Sequence, residues 1–123
     1  MKIVLYSNGL KNLGKKLEDM ILLRVAGAQV ENYLSIEKIV QILRQPLNCV
    51  SVVVLLVASE DQLIKFNSMN PFFDNIKVIL ILSDRQKETL ELGHKLKTSF
   101  ISYIDSDLQD VVSVLEQIEK KSK

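Results

Sequence analysis

Short apolar runs alternate with amphipathic helical patterns along the whole chain. The runs are rich in β-branched residues and predict five strands, over residues 2–7, 29–34, 49–58, 76–82 and 99–104. Apolar residues at helical spacing predict five helices, over residues 12–25, 36–43, 60–69, 85–96 and 107–120. Residues 71–75 are predicted to form a loop after Asn70-Pro71. This alternation is typical of βαβ units around a parallel sheet.

The strand order follows from where polar residues occur in the predicted strands. The third and fourth strands are apolar on both faces, which is typical of the middle of a helix-covered sheet. The second strand contains Glu31 and Asn32, and the fifth contains Ser102 and Tyr103, so both suit edges. We therefore expect residues 1–123 to form a single α/β domain, a three-layer α/β/α doubly wound sandwich with strand order 2-1-3-4-5. Right-handed crossovers then place helices one and five on one face and the other three helices on the opposite face.

Composition narrows the classes of function. Lys plus Arg number 16 and Asp plus Glu number 15, and the net charge of +1 argues against binding nucleic acid or a membrane surface through bulk charge. The single Cys excludes an internal disulfide and favours a reducing, cytoplasmic location. We expect no metal site and no cofactor, and we interpret His94 as a surface residue and Cys49 as a packing residue. The longest apolar run, residues 52–58, is too short to span a bilayer.

The first loop contains a near-match to a nucleotide-binding motif. Residues 9–15 read G-L-K-N-L-G-K and match G-x-x-x-x-G-K, between a strand and a helix. Lys16 stands where a P-loop needs Ser or Thr for Mg²⁺, and Leu10 and Leu13 are apolar. We therefore interpret Gly9 as a turn residue and the lysines as solvated, and we expect no enzyme activity.

Three serines at strand ends each precede a Gln by three positions. The pairs are Ser59 and Gln62, Ser83 and Gln86, and Ser106 and Gln109. This spacing matches the capping box, in which the Ser hydroxyl and the Gln side chain each satisfy a free amide of the first helical turn. A second interpretation stays open, in which a ring of hydroxyls and helix N-termini binds an anion where the strand order reverses.

Five βα units of this size and order resemble the receiver domains of two-component response regulators, over the whole chain. In that family two acids at the end of strand one hold Mg²⁺, an Asp ending strand three accepts the phosphoryl group, and a Lys follows strand five. A Ser or Thr ends strand four, and its movement accompanies a rotamer change of a Tyr or Phe on strand five. Ser83 and Tyr103 match the last two features.

The other receiver positions hold different residues. They are Ser7 and Asn8 after strand one, Val57, Ala58 and Ser59 after strand three, and Asp105 and Ser106 after strand five. Phosphoryl transfer needs a carboxylate nucleophile and a metal bound by hard oxygen ligands. The resemblance therefore implies a pseudo-receiver, which keeps the scaffold without aspartyl phosphorylation.

Two functions of different classes follow. The preferred one is a non-catalytic interaction module that docks a protein partner or a second copy on helix four, strand five and helix five, the face that receivers commonly use. Its candidate contact residues are Tyr103, Val114, Glu91, His94 and Lys95, with Val114 off the core stripe of the last helix and partly exposed. The alternative is a sensor of a small anion or nucleotide at the carboxyl ends of strands one and three. Its candidate ligand-binding residues are Ser7, Asn8, Gly9, Ser59, Ser83 and Asp105.

Overall fold

Five parallel strands form one sheet in the order second, first, third, fourth, fifth. The computed structural model describes residues 1–46, 49–73, 76–96, 98–106 and 108–121. The strands are β1 (Lys2–Tyr6), β2 (Gln29–Tyr33), β3 (Val50–Val57), β4 (Lys77–Leu82) and β5 (Phe100–Tyr103). The helices are α1 (Lys11–Arg24), α2 (Ile36–Leu43), α3 (Glu60–Ser68), α4 (Lys87–Lys95) and α5 (Gln109–Lys121). The expected fold class and strand order are confirmed, and predicted element boundaries agree within two residues.

The sheet separates two apolar clusters, and each is covered by its own set of helices. Leu17 and Ile21 of α1 share the first cluster with Val111 and Leu115 of α5. The second cluster is covered by α2, α3 and α4, through residues that include Ile39. The predicted division of the helices is therefore confirmed. None of the helices in the described part of the chain has the length and apolar character needed to cross a membrane.

The apolar run of β3 occupies the centre of the sheet. Val54 and Leu56 point into the cluster under α1 and α5, while Val53 and Leu55 point into the other. All four side chains are fully buried, because helices cover both faces of the strand. The edge strand β2 by contrast exposes Gln29 and Asn32.

A short 3₁₀ helix, Asn70–Phe73, replaces the first part of the predicted loop over residues 71–75. Phe73 has an exposed fraction of only 3%, and the centroid of its ring lies 6.2 Å from that of Phe66 in an edge-on arrangement. Burying this aromatic ring requires the chain to turn back toward α3 directly after that helix. The rest of the predicted loop, residues 74 and 75, lies outside the described residues.

Cys49 is exposed and lies outside the strand that it was expected to begin. Its φ angle is 59°, in the left-handed region that residues with a Cβ rarely adopt, whereas β3 begins with extended backbone at Val50. The interpretation of Cys49 as a packing residue is therefore wrong. The apolar pattern of the sequence starts only at Val50, and Cys49 lies directly before the strand.

Candidate functional site

The loops that follow β1, β3, β4 and β5 meet at the carboxyl edge of the sheet, as parallel strands require. The structure brings the predicted site residues together in two groups. In the first, the loops after β1 and β3 join, because the Gln62 side-chain amide donates to the Asn8 carbonyl at 3.1 Å. In the second, the loops after β4 and β5 join, because the Arg85 guanidinium donates to the Asp105 carboxylate at 3.1 Å.

Ser7 is fully buried at the carboxyl end of β1. Its hydroxyl donates to the Asn32 side chain at 2.7 Å. Gly14 of α1 lies directly above it, and a Cβ on Gly14 would stand 2.5 Å from the Ser7 Cβ and 2.7 Å from its Oγ. A receiver carries an acid in this region, whereas here the residue is a buried Ser that lies against α1. The Ser7 hydroxyl is consequently engaged within the fold.

The loop from β1 to α1 lines an open cavity of about 710 Å³, formed by residues 8–13. Gly9 adopts a φ of 86°, which glycine adopts at no steric cost. Lys15, the last residue of the G-x-x-x-x-G-K match, pairs with Asp19 of its own helix at 3.3 Å. Gly9 thus forms a turn, Gly14 lies inside α1, and Lys15 forms an ion pair within that helix.

Ser59 begins α3, as the capping interpretation predicts. Its hydroxyl accepts from the Gln62 amide at 3.4 Å. The Gln62 side chain accepts from the backbone amide of Ala58 at 2.8 Å rather than from that of Ser59, so the box is shifted by one residue. The Gln62 side chain thus spans the end of β3 and the loop after β1, at the place where a receiver carries its acceptor Asp.

Ser83 does not cap α4, and the predicted capping box there is wrong. The helix begins at Lys87, with Gln86 as an N-cap that makes no side-chain cap bond. The Asp84 carboxylate accepts from the Gln86 amide at 2.9 Å, which keeps the preceding segment in a turn. An Asp two residues before that amide is the sequence signal that could have indicated this turn.

Ser106 takes part in the turn that leaves β5. Its hydroxyl donates to the Tyr103 carbonyl at 2.7 Å and lies 3.1 Å from the Ser102 hydroxyl. Ser102 in turn donates to the Asp110 carboxylate at 2.9 Å. The predicted start of the last helix, Asp107, lies outside the described residues.

Arg85 stacks on the ring of Tyr103, a contact that sequence reasoning missed. The guanidinium carbon lies 3.8 Å from the ring centroid, within the range of cation–π interactions. The same guanidinium pairs with Asp105, so one side chain joins the segment before α4 to β5 and to the turn after it. The only available sequence signal was that these residues stand at the ends of neighbouring parallel strands.

The candidate docking residues surround β5 on both sides. Glu91, His94 and Lys95 are exposed on α4, and the half-buried Tyr103 packs against the cluster on the α4 side. Val114 is also half-buried, but it packs against the cluster under α1 and α5. Val114 is thus partly exposed, as predicted, but it also contacts the core on the face of the sheet opposite to Tyr103.

A smaller cavity of about 300 Å³ lies between the loop after β1 and the helices α2 and α3. Tyr6 lines it, and burial raises the pKa of this phenol. Across the cavity the Lys65 ammonium donates to the Glu37 carboxylate at 2.6 Å, which lowers the pKa of Glu37 to about 2. Among the described residues, no three His, Cys, Asp or Glu side chains form a group that could hold a metal ion.

Solved structures of response regulators and of a pilus assembly protein share this architecture. A CheY-like response regulator from Mesorhizobium loti has a TM-score of 0.70 at 11% identity, covering 95% of this chain and 97% of its own. A LuxR family DNA-binding response regulator from Silicibacter pomeroyi has a TM-score of 0.70 at 17% identity, covering 98% and 93%. A putative CpaE2 pilus assembly protein from Sinorhizobium meliloti 1021 has a TM-score of 0.68 at 13% identity, covering 96% and 99%.

These similarities extend over nearly the whole length of both chains. At such low identities they show a shared fold, and the chain has the receiver-like architecture of the response regulators. No protein-family model matches the sequence, and no curated protein does either. The function must therefore be argued from the residues that stand on the shared scaffold.

Proposed function

We propose that the chain is a pseudo-receiver, a signalling module that docks a protein partner without aspartyl phosphorylation. One observation carries this proposal: the groups at the carboxyl ends of β1 and β3 are packed or hydrogen-bonded within the fold. Ser7 lies under Gly14, and Gln62 binds both Ala58 and Asn8. A receiver places the acids that bind Mg²⁺ and accept the phosphoryl group at these strand ends. Without a carboxylate nucleophile there, the phosphoryl group has no acceptor.

Docking uses the face formed by α4, β5 and α5. Its support is the half-buried Tyr103 on an edge strand, together with the exposed Glu91, His94 and Lys95 of α4, which covers the same face of the sheet. An aromatic ring bordered by exposed polar side chains is a common arrangement in protein interfaces. A response regulator and a pilus assembly protein share this fold, and a signalling or assembly role of that general kind is consistent with the proposal.

Phosphodonor treatment tests the first half of the proposal. The protein is incubated with acetyl phosphate and Mg²⁺, and its intact mass is measured at neutral pH and after acid treatment. We expect no phosphorylated species, while a phosphorylatable receiver run in parallel gains one phosphoryl group. A stoichiometric gain that maps to Glu60, Asp61 or Asp105 overturns the proposal.

Site-specific photo-crosslinking tests the docking face. A photoreactive amino acid replaces His94 on α4 in one variant and Gln41 on α2 in the other, and both positions are exposed. We expect His94 to give a discrete crosslinked product, with a partner or with a second copy of the chain, and Gln41 to give none. Equal crosslinking at both positions, or crosslinking at Gln41 alone, contradicts this choice of face.

A second candidate function is a sensor for a small anion or nucleotide. The observation in its favour is the cavity of about 710 Å³ beside the N-terminus of α1, whose N-cap residue Leu10 makes no side-chain cap bond. Against it stand the internal bonds of Ser7 and Ser59, which occupy two of the expected ligand-binding hydroxyls. Melting curves with phosphate, ATP or GTP distinguish the two functions, because a ligand that binds only the folded chain raises the melting temperature.

A further inference from the structure

The stack of Arg85 on Tyr103 joins two segments that are distant in sequence. Arg85 belongs to the segment between β4 and α4, and Tyr103 is the last residue of β5. The guanidinium lies 3.8 Å from the ring centroid and pairs with Asp105 at 3.1 Å. The Arg85 guanidinium thus has two partners, the Tyr103 ring at the end of β5 and the Asp105 carboxylate just after it.

Further hydrogen bonds stabilise the segment around Arg85 and the segment after β5. Asp84 accepts from the Gln86 amide, so the residues on either side of Arg85 belong to one turn. Ser106 donates to the Tyr103 carbonyl, so the chain around Asp105 is also closed into a turn. Arg85 therefore lies in one hydrogen-bonded turn, and its partner Asp105 lies in another.

The half-buried Tyr103 side chain has contacts of two different kinds. It packs against the apolar cluster that contains Leu80 and Leu82 of β4, and it receives the Arg85 guanidinium as well. Moving the ring to another χ1 well separates it from the guanidinium, since side chains occupy discrete staggered rotamers. The Asp105 pair holds the guanidinium in place and so opposes this movement.

We propose that Arg85 is a positioning residue that holds the Tyr103 side chain in a single rotamer. The face formed by α4 and β5 is then presented in one conformation, independent of any event at the ends of β1 and β3. This consequence rests on the proposed docking function, whereas the link between Arg85 and the Tyr103 rotamer does not. Arg85 and Asp105 are both more than half exposed, so their pair adds little to the stability of the fold.

The rotamer of Tyr103 is measured directly by NMR. Three-bond couplings from its backbone nitrogen and carbonyl carbon to the ring carbon report the χ1 populations. We expect the couplings of one staggered rotamer in the wild-type chain and averaged values in Arg85→Ala. Lys87→Ala is the matched control, because it removes an equal charge from an exposed position at the start of α4. Its couplings should equal those of the wild type.

The arginine side chain supplies an independent measurement. The sequence contains three arginines, so their Nε–H signals are easily assigned. Stacking shifts the Arg85 signal upfield through the ring current of Tyr103, and Tyr103→Leu should remove that shift. Arg44 is an internal comparison, because it lies over Phe72 at the longer distance of 5.8 Å and should show a smaller shift. Asp105→Asn keeps the shape of the pair without its charge and should reduce the Arg85 shift.

Two results overturn the inference. One is a set of Tyr103 couplings that is averaged in the wild type, and the other is a single-rotamer set that persists unchanged in Arg85→Ala. A melting temperature of Arg85→Ala within a few degrees of the wild type shows that any change is local. Crosslinking at the docking face is measured separately, so failure of the proposed function leaves the Arg85 result interpretable.

Discussion

A single missing methyl group at Gly14 determines how closely α1 approaches the sheet. A Cβ at this position would lie 2.5 Å from the Cβ of Ser7, and neither atom moves with a side-chain rotation. Ser7 has no exposed surface, so the whole helix would have to shift to relieve the contact. The same approach closes the end of β1, where a receiver would carry an acid.

Substitution of Gly14 therefore tests the closed site. Overpacking typically costs about 1–3 kcal/mol, and alanine recovers roughly 1 kcal/mol over glycine inside a helix. We expect Gly14→Ala to lower the free energy of unfolding by up to about 2 kcal/mol, as measured by urea denaturation. Gly93→Ala is the matched control, because its Cβ would meet only the ends of side chains, of which Leu80 Cδ2 at 3.2 Å is the nearest. Equal stability of the two variants contradicts the close approach at Gly14.

Glu37 provides a prediction about pH. The Lys65 ammonium donates to its carboxylate at 2.6 Å and the Ser35 hydroxyl does so at 2.9 Å, and the pKa of Glu37 falls to about 2 from an ordinary value of 4.5. Because the folded pKa is the lower one, these contacts stabilise the fold above about pH 4.5 and lose their effect as the pH falls toward 2. NMR titration of the Glu37 carboxyl carbon measures this pKa. Lys65→Ala should raise it, and an ordinary value in the wild type would contradict the contact.

At the scale of elements, Ser59 and Ser83 look alike in the sequence and differ in the structure. Ser59 caps α3 through a long bond of 3.4 Å, whereas α4 begins beyond Ser83 after an Asp84 turn. We expect Ser59→Ala to cost about 0.5–1 kcal/mol of folding stability and Ser83→Ala to cost under about 0.5 kcal/mol. Urea denaturation of the two variants compares them. A larger loss for Ser83→Ala would restore the capping box that the sequence predicts.

Periodicity predicts most elements because burial imposes it. The run from Val52 to Val57 indicates β3, since a strand covered on both faces excludes polar residues. The apolar stripe of the last helix likewise predicts its buried residues, among them Val111 and Leu115. The polar residues of β2 and β5 predict the two edge strands correctly, and a doubly wound sheet with those edges has the observed order.

Contacts between distant loops have no comparable signature in the sequence. The stack of Arg85 on Tyr103 depends on two turns and two rotamers, and the closeness of Gly14 to Ser7 depends on the height of α1 above the sheet. The 3₁₀ helix after α3 arises because Phe73 is buried, which local turn signals do not reveal. The candidate site was therefore predicted as a set of residues at the correct strand ends, without the bonds that occupy them.

For the molecule as a whole, the loops at the carboxyl edge of the sheet are bonded to one another, whereas α4 leaves polar side chains exposed to solvent. At the edge, the loops after β1 and β3 are bonded through Gln62, and those after β4 and β5 are bonded through Arg85. Outside it, α4 presents exposed polar side chains beside an edge strand. Surfaces of this polar kind form modest rather than obligate interfaces.

Measuring self-association tests whether the surface formed by α4 and β5 makes a modest interface. The net charge of +1 gives two copies little mutual repulsion, so a contact through α4 and β5 should appear as weak, concentration-dependent dimerisation in sedimentation velocity. His94→Glu places an added negative charge beside the exposed Glu91 and should weaken that dimerisation. Gln41→Glu makes the same change of charge at an exposed position of α2 and should leave it unchanged. Equal loss in both variants would indicate that overall charge controls association, and the α4 face would then have no special part in it.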